Sequence, residues 1–262
     1  MGVQNSRLPD RPENFSYFVV DFQQPDTLRI VWAEQSCVDI ISHAFVLFWK
    51  MGIQKCGWNS NRYFLIKLRG FPFSHGDREC AIQVKQACCR ILSDLFAAGW
   101  RLTLSTHLSL HRSLSTWFFQ RSETDHNLIT PHVMCLSISS CDSLQLVNGN
   151  EAMQQILREE VESGYPKGMK AEYKVSYNFE IQLNGYPWIR QDTPDGIMGR
   201  KLLLQIFRRF SVQSIVFYGK INLKVCSFLC ILNNRMKLAP CDCQRILSCT
   251  LPHSTSLLTR FP

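Results

Sequence analysis

The sequence predicts a protein of the α/β (α+β) class, built from two tandem copies of one unit. A ten-residue stretch that begins at Phe64 returns at Phe179, at a constant offset of 115 residues. In both stretches apolar and polar residues alternate, as expected of a strand that buries one face. Apolar residues at helical spacing follow both stretches at the same offset. We therefore expect two copies of a β-α-β-α-β-β unit, with mixed sheets covered by helices.

The repeated strand ends in the same way in both copies, with a glycine, an aromatic residue and a proline. Gly70 permits a sharp change of direction, and Pro72 cannot donate a hydrogen bond to a continuing strand. An aromatic residue follows each proline directly, Phe73 in the first copy and Trp188 in the second. We predict that both rings fill the layer between sheet and helix. A ligand-stacking site at the strand end is the alternative.

Alternation and helical spacing also place the remaining elements. In the first copy they predict a split strand at 15–22 and 28–32 and strands at 64–68, 100–106 and 116–119. They also predict a helix with apolar spacing over 38–48 that ends near Gly52, and a helix with apolar spacing over 84–96 that Gly99 ends. In the second copy they predict strands at 133–138, 144–147, 179–183, 215–218 and 227–231, and helices at 151–162 and 202–210. The loop 164–170 is interpreted as a flexible connector, because it lacks the residue order of a phosphate-binding loop.

Composition shifts divide the chain into five segments. The segment between the copies is rich in polar residues and contains a proline, which is typical of a boundary, and the C-terminal segment has no sustained period. The expected segments are a flexible N-terminus at 1–14, a first unit at 15–122, a linker at 123–132, a second unit at 133–232 and a disordered tail at 233–262.

Length and composition indicate a globular protein rather than a disordered one. The chain has 262 residues, of which 45% are hydrophobic, and a formal net charge of +8 that is spread along the sequence. No apolar run approaches the roughly 20 residues that span a bilayer, and no secretory signal opens the chain. We therefore expect a cytoplasmic protein whose 12 cysteines are reduced thiols without structural disulfides.

The first six residues fit the Met-Gly-x-x-x-Ser pattern of N-myristoylation, which would place an acyl chain on Gly2 after the methionine is removed. Pro9 and Pro12 favour an extended segment that leaves this amine accessible. A chance match is the alternative. Because one myristoyl chain gives only marginal, reversible attachment, a membrane-associated protein would need a second contact.

Four basic residues on the second copy's main helix are candidates for that contact: Arg200, Lys201, Arg208 and Arg209. Lys201 and Arg208 are seven residues apart and therefore share one side of the helix. They are expected either to form a solvated surface or to contact acidic lipid headgroups. Nucleic acid is the rival partner, although no basic stripe with interleaved exposed aromatic residues supports it.

No combination of residues in the sequence predicts catalysis, a metal site or a cofactor. Cys37 and His43 are six residues apart, which places them on different sides of a helix. Cys241, Cys243, Cys249 and His253 could supply four metal ligands, but a Cys-x-Cys pair lacks the spacing usual in zinc knuckles. We therefore expect a non-enzymatic interaction or scaffold protein with a protein partner that the sequence does not identify.

Three motifs carry a resemblance to a known family: Trp49-x-x-Gly-Ile-Gln54, the stretch from Phe64 to Phe73, and Gly99-Trp-Arg-Leu102. Together they resemble an uncharacterised eukaryotic family of tandem α/β repeats over residues 28–232. The second copy lacks the Gly-Trp pair after its helix, which indicates that it has diverged. The N-terminal acylation pattern is also similar to that of raftlin-type scaffolds. This similarity implies a peripheral, non-enzymatic membrane scaffold and assigns a role only to Gly2.

Overall fold

Two β-sheets, one in each half of the chain, form the frame of the molecule in the computed structural model. The structure describes residues 16–59, 63–74, 78–108, 113–122, 131–175, 178–223 and 226–233. The predicted flexible N-terminus, the metal-ligand candidates and residues 234–262 of the predicted tail lie outside these ranges. Residue 233 of that tail belongs to the last strand. Most of the predicted linker also lies outside, and its last residue, His132, begins a strand.

The first half, unit 1, contains β1 (Tyr17–Gln23), β2 (Thr27–Val31), α1 (Gln35–Phe48), β3 (Ile53–Asn59), β4 (Tyr63–Leu68), α2 (Arg78–Ala97), β5 (Trp100–Thr106) and β6 (Ser113–Arg121). The second half, unit 2, contains β7 (His132–Ile138), β8 (Ser143–Val147), α3 (Glu151–Gly164), β9 (Met169–Val175), β10 (Asn178–Leu183), α4 (Pro194–Val212), β11 (Ile215–Leu223) and β12 (Cys226–Asn233).

The two sheets have the same topology, which confirms the α+β class and the tandem duplication. Sheet A of unit 1 has the strand order β3-β4-β2-β1-β6-β5, and sheet B of unit 2 repeats it as β9-β10-β8-β7-β12-β11. Every neighbouring strand pair in the described ranges is antiparallel. The sheets are therefore antiparallel where the sequence predicted mixed ones, and each unit has the order β-β-α-β-β-α-β-β.

Strands β3 and β9 are the elements that the sequence analysis missed. Both are edge strands, and most of their side chains are exposed or half-buried. When both faces of an edge strand are exposed to solvent, its residues need not alternate between apolar and polar. The pattern that identifies a strand with one buried face is therefore absent. Part of the predicted connector at 164–170 belongs to α3 and to the start of β9.

The end of the repeated strand is held by the same backbone hydrogen bonds in both units. Leu68 N donates to Asp26 O at 2.9 Å, and Phe73 N donates to Pro25 O at 3.0 Å. The ring of Phe73 is fully buried and lies 5.6 Å from the ring of Phe22. The predicted filling role is thus confirmed for Phe73. Trp188, its counterpart, is partly buried against the core of unit 2.

Helix α2 is buried on two opposite sides. Because one side packs in unit 1 and the other on unit 2, the helix joins the two units. One side, with Val84, Ile91 and Leu95, completes the core of unit 1. The other side faces sheet B, where Lys85 Nζ donates hydrogen bonds to Ser137 Oγ at 2.8 Å and to the side-chain oxygen of Gln145. These contacts cross from one unit to the other, so α2 serves as a layer between the two sheets.

A chain of buried polar groups continues from Lys85 across sheet B. Gln145 Nε2 donates to Glu180 Oε2 at 3.1 Å, and Glu180 also pairs with Arg78 at the start of α2. Lys85, Gln145 and Glu180 are all buried. Because a buried polar group without a partner costs more than a made hydrogen bond gains, this chain fixes the position of α2 on sheet B.

Removing the amine of Lys85 should weaken the contact between α2 and sheet B, which we call the joint between the units. Lys85→Met keeps most of the side-chain volume but removes the donor that Ser137 and Gln145 share, and only the long Ser137–Gln145 hydrogen bond of 3.4 Å remains. We therefore expect the free energy of unfolding to fall by about 1–3 kcal/mol. Urea denaturation followed by fluorescence measures this change. The matched control is Lys55→Met on the exposed edge strand β3, for which we expect no more than about 0.5 kcal/mol. Equal stabilities of wild type and Lys85→Met would contradict the structural role of the amine.

The glycine at the end of β10 should be required for its conformation. Gly185 has φ +85°, and a Cβ there would also lie 2.4 Å from Asp195 Oδ2. Gly185→Ala is expected to lower the free energy of unfolding by at least about 1–2 kcal/mol, because a side chain is strained in this region. Thermal unfolding compared with Gly164→Ala provides the measurement and its control, since Gly164 has no positive φ and the three atoms nearest to a Cβ there belong to the movable side chain of Gln205. A Gly185→Ala protein as stable as wild type would refute this prediction.

Candidate interaction surface

The two faces of each sheet can be assigned from the strand register, because directly paired residues lie on the same face. In sheet B, Gln145 pairs with Ser137 and with Glu180, so these three residues lie on the face that α2 covers. The opposite face of sheet B, with Leu144, Leu146 and Ile181 among others, packs against α3 and α4. Sheet B is therefore covered on both faces.

Sheet A has the same two faces, and α1 and α2 cover one of them. The other, which we call the outer face of sheet A, includes Tyr17, Val19, Asp21, Arg29, Val31, Leu65, Lys67, Thr116 and Phe118. Its positions match those of the α2-covered face of sheet B. Asp21 takes the place of Ser137, and Arg29 takes the place of Gln145. Thr116 is buried and its Oγ1 donates to Asp21 Oδ1 at 2.9 Å, whereas the other side chains named here are half-buried or exposed. No helix of the described ranges lies on this face.

Helix α4 occupies in unit 2 the position that α2 occupies in unit 1. The offset of 115 residues aligns Ile91 with Ile206, and both are buried in the cores of their units. The same offset aligns Lys85 with Arg200 and Cys89 with Leu204. The side of α2 that faces sheet B thus corresponds to a side of α4 that faces away from unit 2.

This outward side of α4 is exposed, although it is partly apolar. It comprises Ile197, Arg200, Lys201, Leu204, Arg208 and Val212. Leu204 is 67% exposed, whereas its counterpart Cys89 is 1% exposed. Ile197 and Val212 are 49% and 73% exposed. A row of large apolar side chains in water is unfavourable and is typical of a surface that contacts a partner.

The structure brings three of the four predicted basic residues together and separates the fourth. Lys201 and Arg208 share the outward side of α4, as their spacing predicted. Arg200 lies on the same side, where its Nη1 donates to Gly196 O at 2.7 Å. Arg209 lies toward α3 instead, where its Nη2 is 3.0 Å from Glu159 Oε2. The acidic neighbours of Arg209 make it part of the contact between α3 and α4 rather than of the outward surface.

The other sequence candidates do not form a reactive site in the described ranges. Cys37 is buried in the core of unit 1, whereas His43 is exposed on the same helix, α1. Burial raises the pKa of the Cys89 thiol, with a further contribution from Cys88, so this thiol behaves as a small apolar side chain rather than as a nucleophile. The described residues contain no group of three or more His, Cys, Asp or Glu side chains that could hold a metal ion.

Sequence reasoning did not find the joint between the units or the outer face of sheet A. The polar residues Ser137, Gln145 and Glu180 look like the solvent side of their strands, although α2 buries them. A usable signal was present in the helices: α2 carries the small Cys89 where α4 carries Leu204. Small residues permit the close approach of a second sheet, which α2 makes within the chain.

Two further expectations concern the membrane. Among the helices of the described ranges, none combines the length and the apolar composition needed to cross a bilayer. Gly2, the predicted acylation site, lies outside the described residues.

Comparison with known proteins identifies the repeated unit. One family model of a protein domain matches the chain twice, at residues 16–120 and 132–228. No curated protein matches the chain, so the similarity to raftlin-type scaffolds remains a prediction. The two matches coincide with the two sheets and their helices. Because they make up more than half of the sequence, the chain belongs to this domain family and carries two copies of its domain in tandem.

Proposed function

We propose that this chain is a non-enzymatic cytoplasmic interaction protein whose two units form one platform, and that the outward side of α4 is its contact surface. The contrast between Cys89 and Leu204 carries this proposal. The same position on two matching helices is buried in a contact between units in one case and 67% exposed in the other. An exposed apolar row at a place where the fold forms an interface is best explained by a second interface.

The buried polar groups of the described residues support a structural rather than a catalytic role. Lys85 and Glu180 are the kinds of group that catalyse proton transfer when they face a substrate. Here Lys85 binds Ser137 and Gln145, and Glu180 binds Gln145 and Arg78. These hydrogen bonds join the units, so the structural role accounts for these groups completely.

The acidic surroundings of Arg209 favour a protein partner over nucleic acid. Glu159 and Glu160 lie 3.0 Å and 3.8 Å from the Arg209 guanidinium, and carboxylates at this distance oppose the approach of phosphate groups. The remaining basic residues alternate with aliphatic ones, and stacking platforms for bases are aromatic. Nucleic-acid binding would show as a salt-dependent affinity for oligonucleotides that a Lys201/Arg208/Arg209 triple substitution removes.

We also propose that an acyl chain on Gly2 holds the protein reversibly at membranes. The N-terminal Met-Gly-x-x-x-Ser pattern supports this proposal. The exposed apolar surface on α4 would allow the membrane-bound protein to assemble with other proteins. Several acyl chains in one assembly would strengthen an attachment that is marginal for one chain.

The contact surface can be tested with a photo-crosslinking amino acid placed at Leu204 of the full chain in cells. We expect protein adducts at this position, because the proposal places it at the centre of a protein contact. The matched control is the same amino acid at Leu47, an exposed leucine on helix α1. Protein adducts no more abundant at Leu204 than at Leu47 would contradict the proposed surface. Adducts made only to lipid or nucleic acid would contradict the choice of a protein partner.

The acylation of Gly2 is tested by metabolic labelling with a clickable myristate analogue. Wild type should incorporate the label and Gly2→Ala should not, because the alanine residue removes the substrate of the acylation reaction. Asn5→Ala is the control, since it leaves both the glycine and Ser6 in place. Equal labelling of wild type and Gly2→Ala would contradict the proposed acylation of Gly2.

A further inference from the structure

We propose that copies of this chain associate head to tail, with the outward side of α4 of one copy seated on the outer face of sheet A of the next. This inference rests on the proposed function, because it names the partner of the α4 surface as a second copy of the chain. The contact would repeat, between chains, the contact that α2 makes with sheet B within one chain.

The internal contact defines which residues meet. Within the chain, Lys85 of α2 meets Ser137 and Gln145 of sheet B. The matching residue on α4 is Arg200, and the matching residues on the outer face of sheet A are Asp21 and Arg29. In the contact between copies, Arg200 therefore meets a carboxylate where Lys85 meets a hydroxyl group. A guanidinium and a carboxylate carry opposite charges and can form two parallel hydrogen bonds, which a lysine amine and a neutral hydroxyl group cannot.

The apolar residues of the two surfaces also correspond. Cys89 lies in one continuous cluster with Cys135 and Val147 of sheet B. The matching residues are Leu204 on α4 and the half-buried pair Val19 and Val31 on the outer face of sheet A. The apolar centre is exposed on α4 and half-buried on sheet A, at the position where the internal contact buries one. Association would remove the remaining exposed area of both centres from water.

One substitution makes the contact between copies weaker than the internal one. Arg29 replaces Gln145, which adds a positive charge opposite the basic side of α4. This guanidinium lies 5.6 Å above the ring of Tyr63, and its Nε has no hydrogen-bond partner among the residues that the structure describes. Like charges oppose each other less in salt. We therefore expect a concentration-dependent association that is favoured at moderate ionic strength, rather than an obligate dimer.

The two surfaces are different, so the contact is heterologous. When two copies join, one α4 surface and one sheet A surface remain at opposite ends of the pair. Contacts of this kind extend into open chains unless the rotation between copies closes a ring, and stacked repeat proteins extend in the same way. The proposal therefore predicts that the average mass continues to rise with concentration.

Sedimentation velocity of the full-length chain tests the proposal from about 1 to 300 µM, the range of weak specific contacts. The wild-type mass should increase over this range. Leu204→Glu disables the α4 surface and Val19→Lys disables the outer face of sheet A, so each variant alone should remain monomeric. Leu47→Glu, at an exposed position outside both surfaces, should associate as wild type does.

A mixture of the two disabled variants tests the head-to-tail contact most directly. Leu204→Glu retains its sheet A surface and Val19→Lys retains its α4 surface, so an equimolar mixture should form one-to-one dimers that cannot extend. These dimers would also show that both variants are folded. A wild-type chain that stays monomeric over the whole range would overturn the proposal, as would a Leu204→Glu chain that associates like wild type. A mixture without dimers would likewise overturn the head-to-tail contact.

The outcomes separate this inference from the proposed function. If the wild-type chain is monomeric while crosslinks at position 204 capture a different protein, self-association is refuted and the interaction role stands. If position 204 captures no protein above the Leu47 control, the interaction role is refuted as well. Crosslinks between two copies of the chain, together with the one-to-one dimer of the variants, support both.

Discussion

Helix α2 has to bury two opposite sides at once, and the arrangement of the rest of the molecule depends on this constraint. One side completes the core of unit 1, and the other lies on sheet B. The small side chain of Cys89 allows the close approach, while Lys85 requires hydrogen-bond partners wherever it is buried. Ser137 and Gln145 supply these partners. With α2 fixed, α4 and the outer face of sheet A are left at opposite ends of the platform.

The duplication explains why these two ends carry matching surfaces. A repeated unit that packs its second helix against the sheet of the next unit leaves a helix without a sheet at one end and a sheet without a helix at the other. Repeat proteins commonly make their terminal surfaces polar for solubility. Here α4 carries Lys201 and Arg208 where α2 carries Gln86 and Ser93, but it keeps Leu204 exposed between them. The surface is thus soluble and still suited to a contact.

Much of the fold of each unit was predictable, because its main elements face a single core. Alternation at Phe64 and Phe179 identified the repeated strands, and Gly70 with Pro72 identified the turn that follows. Strands β3 and β9 were not predictable in this way, since water on both faces removes the pattern. The pairing of all strands as antiparallel required knowledge of which strands are neighbours, which local patterns do not contain.

The candidate surface was predictable only in part, for a related reason. The seven-residue spacing of Lys201 and Arg208 placed them on one side of a helix, and the structure agrees. Arg209 was grouped with them because its pairing with Glu159 depends on the position of α3, fifty residues earlier in the chain. The contact between α2 and sheet B could not be predicted, because Ser137, Gln145 and Glu180 are polar. From sequence alone such residues are assigned to a solvent-exposed face of the sheet.

The central claim is that α2 remains seated on sheet B in the native protein. Alkylation of cysteines under native conditions, resolved by mass spectrometry, tests it directly. Cys89 faces the joint, Cys37 lies in the core of unit 1, and Cys56 is exposed on β3. The account predicts that Cys89 reacts as slowly as Cys37, since both need global unfolding, while Cys56 reacts at once. A Cys89 thiol that reacts much faster than Cys37 would show that the units separate, and would contradict the account.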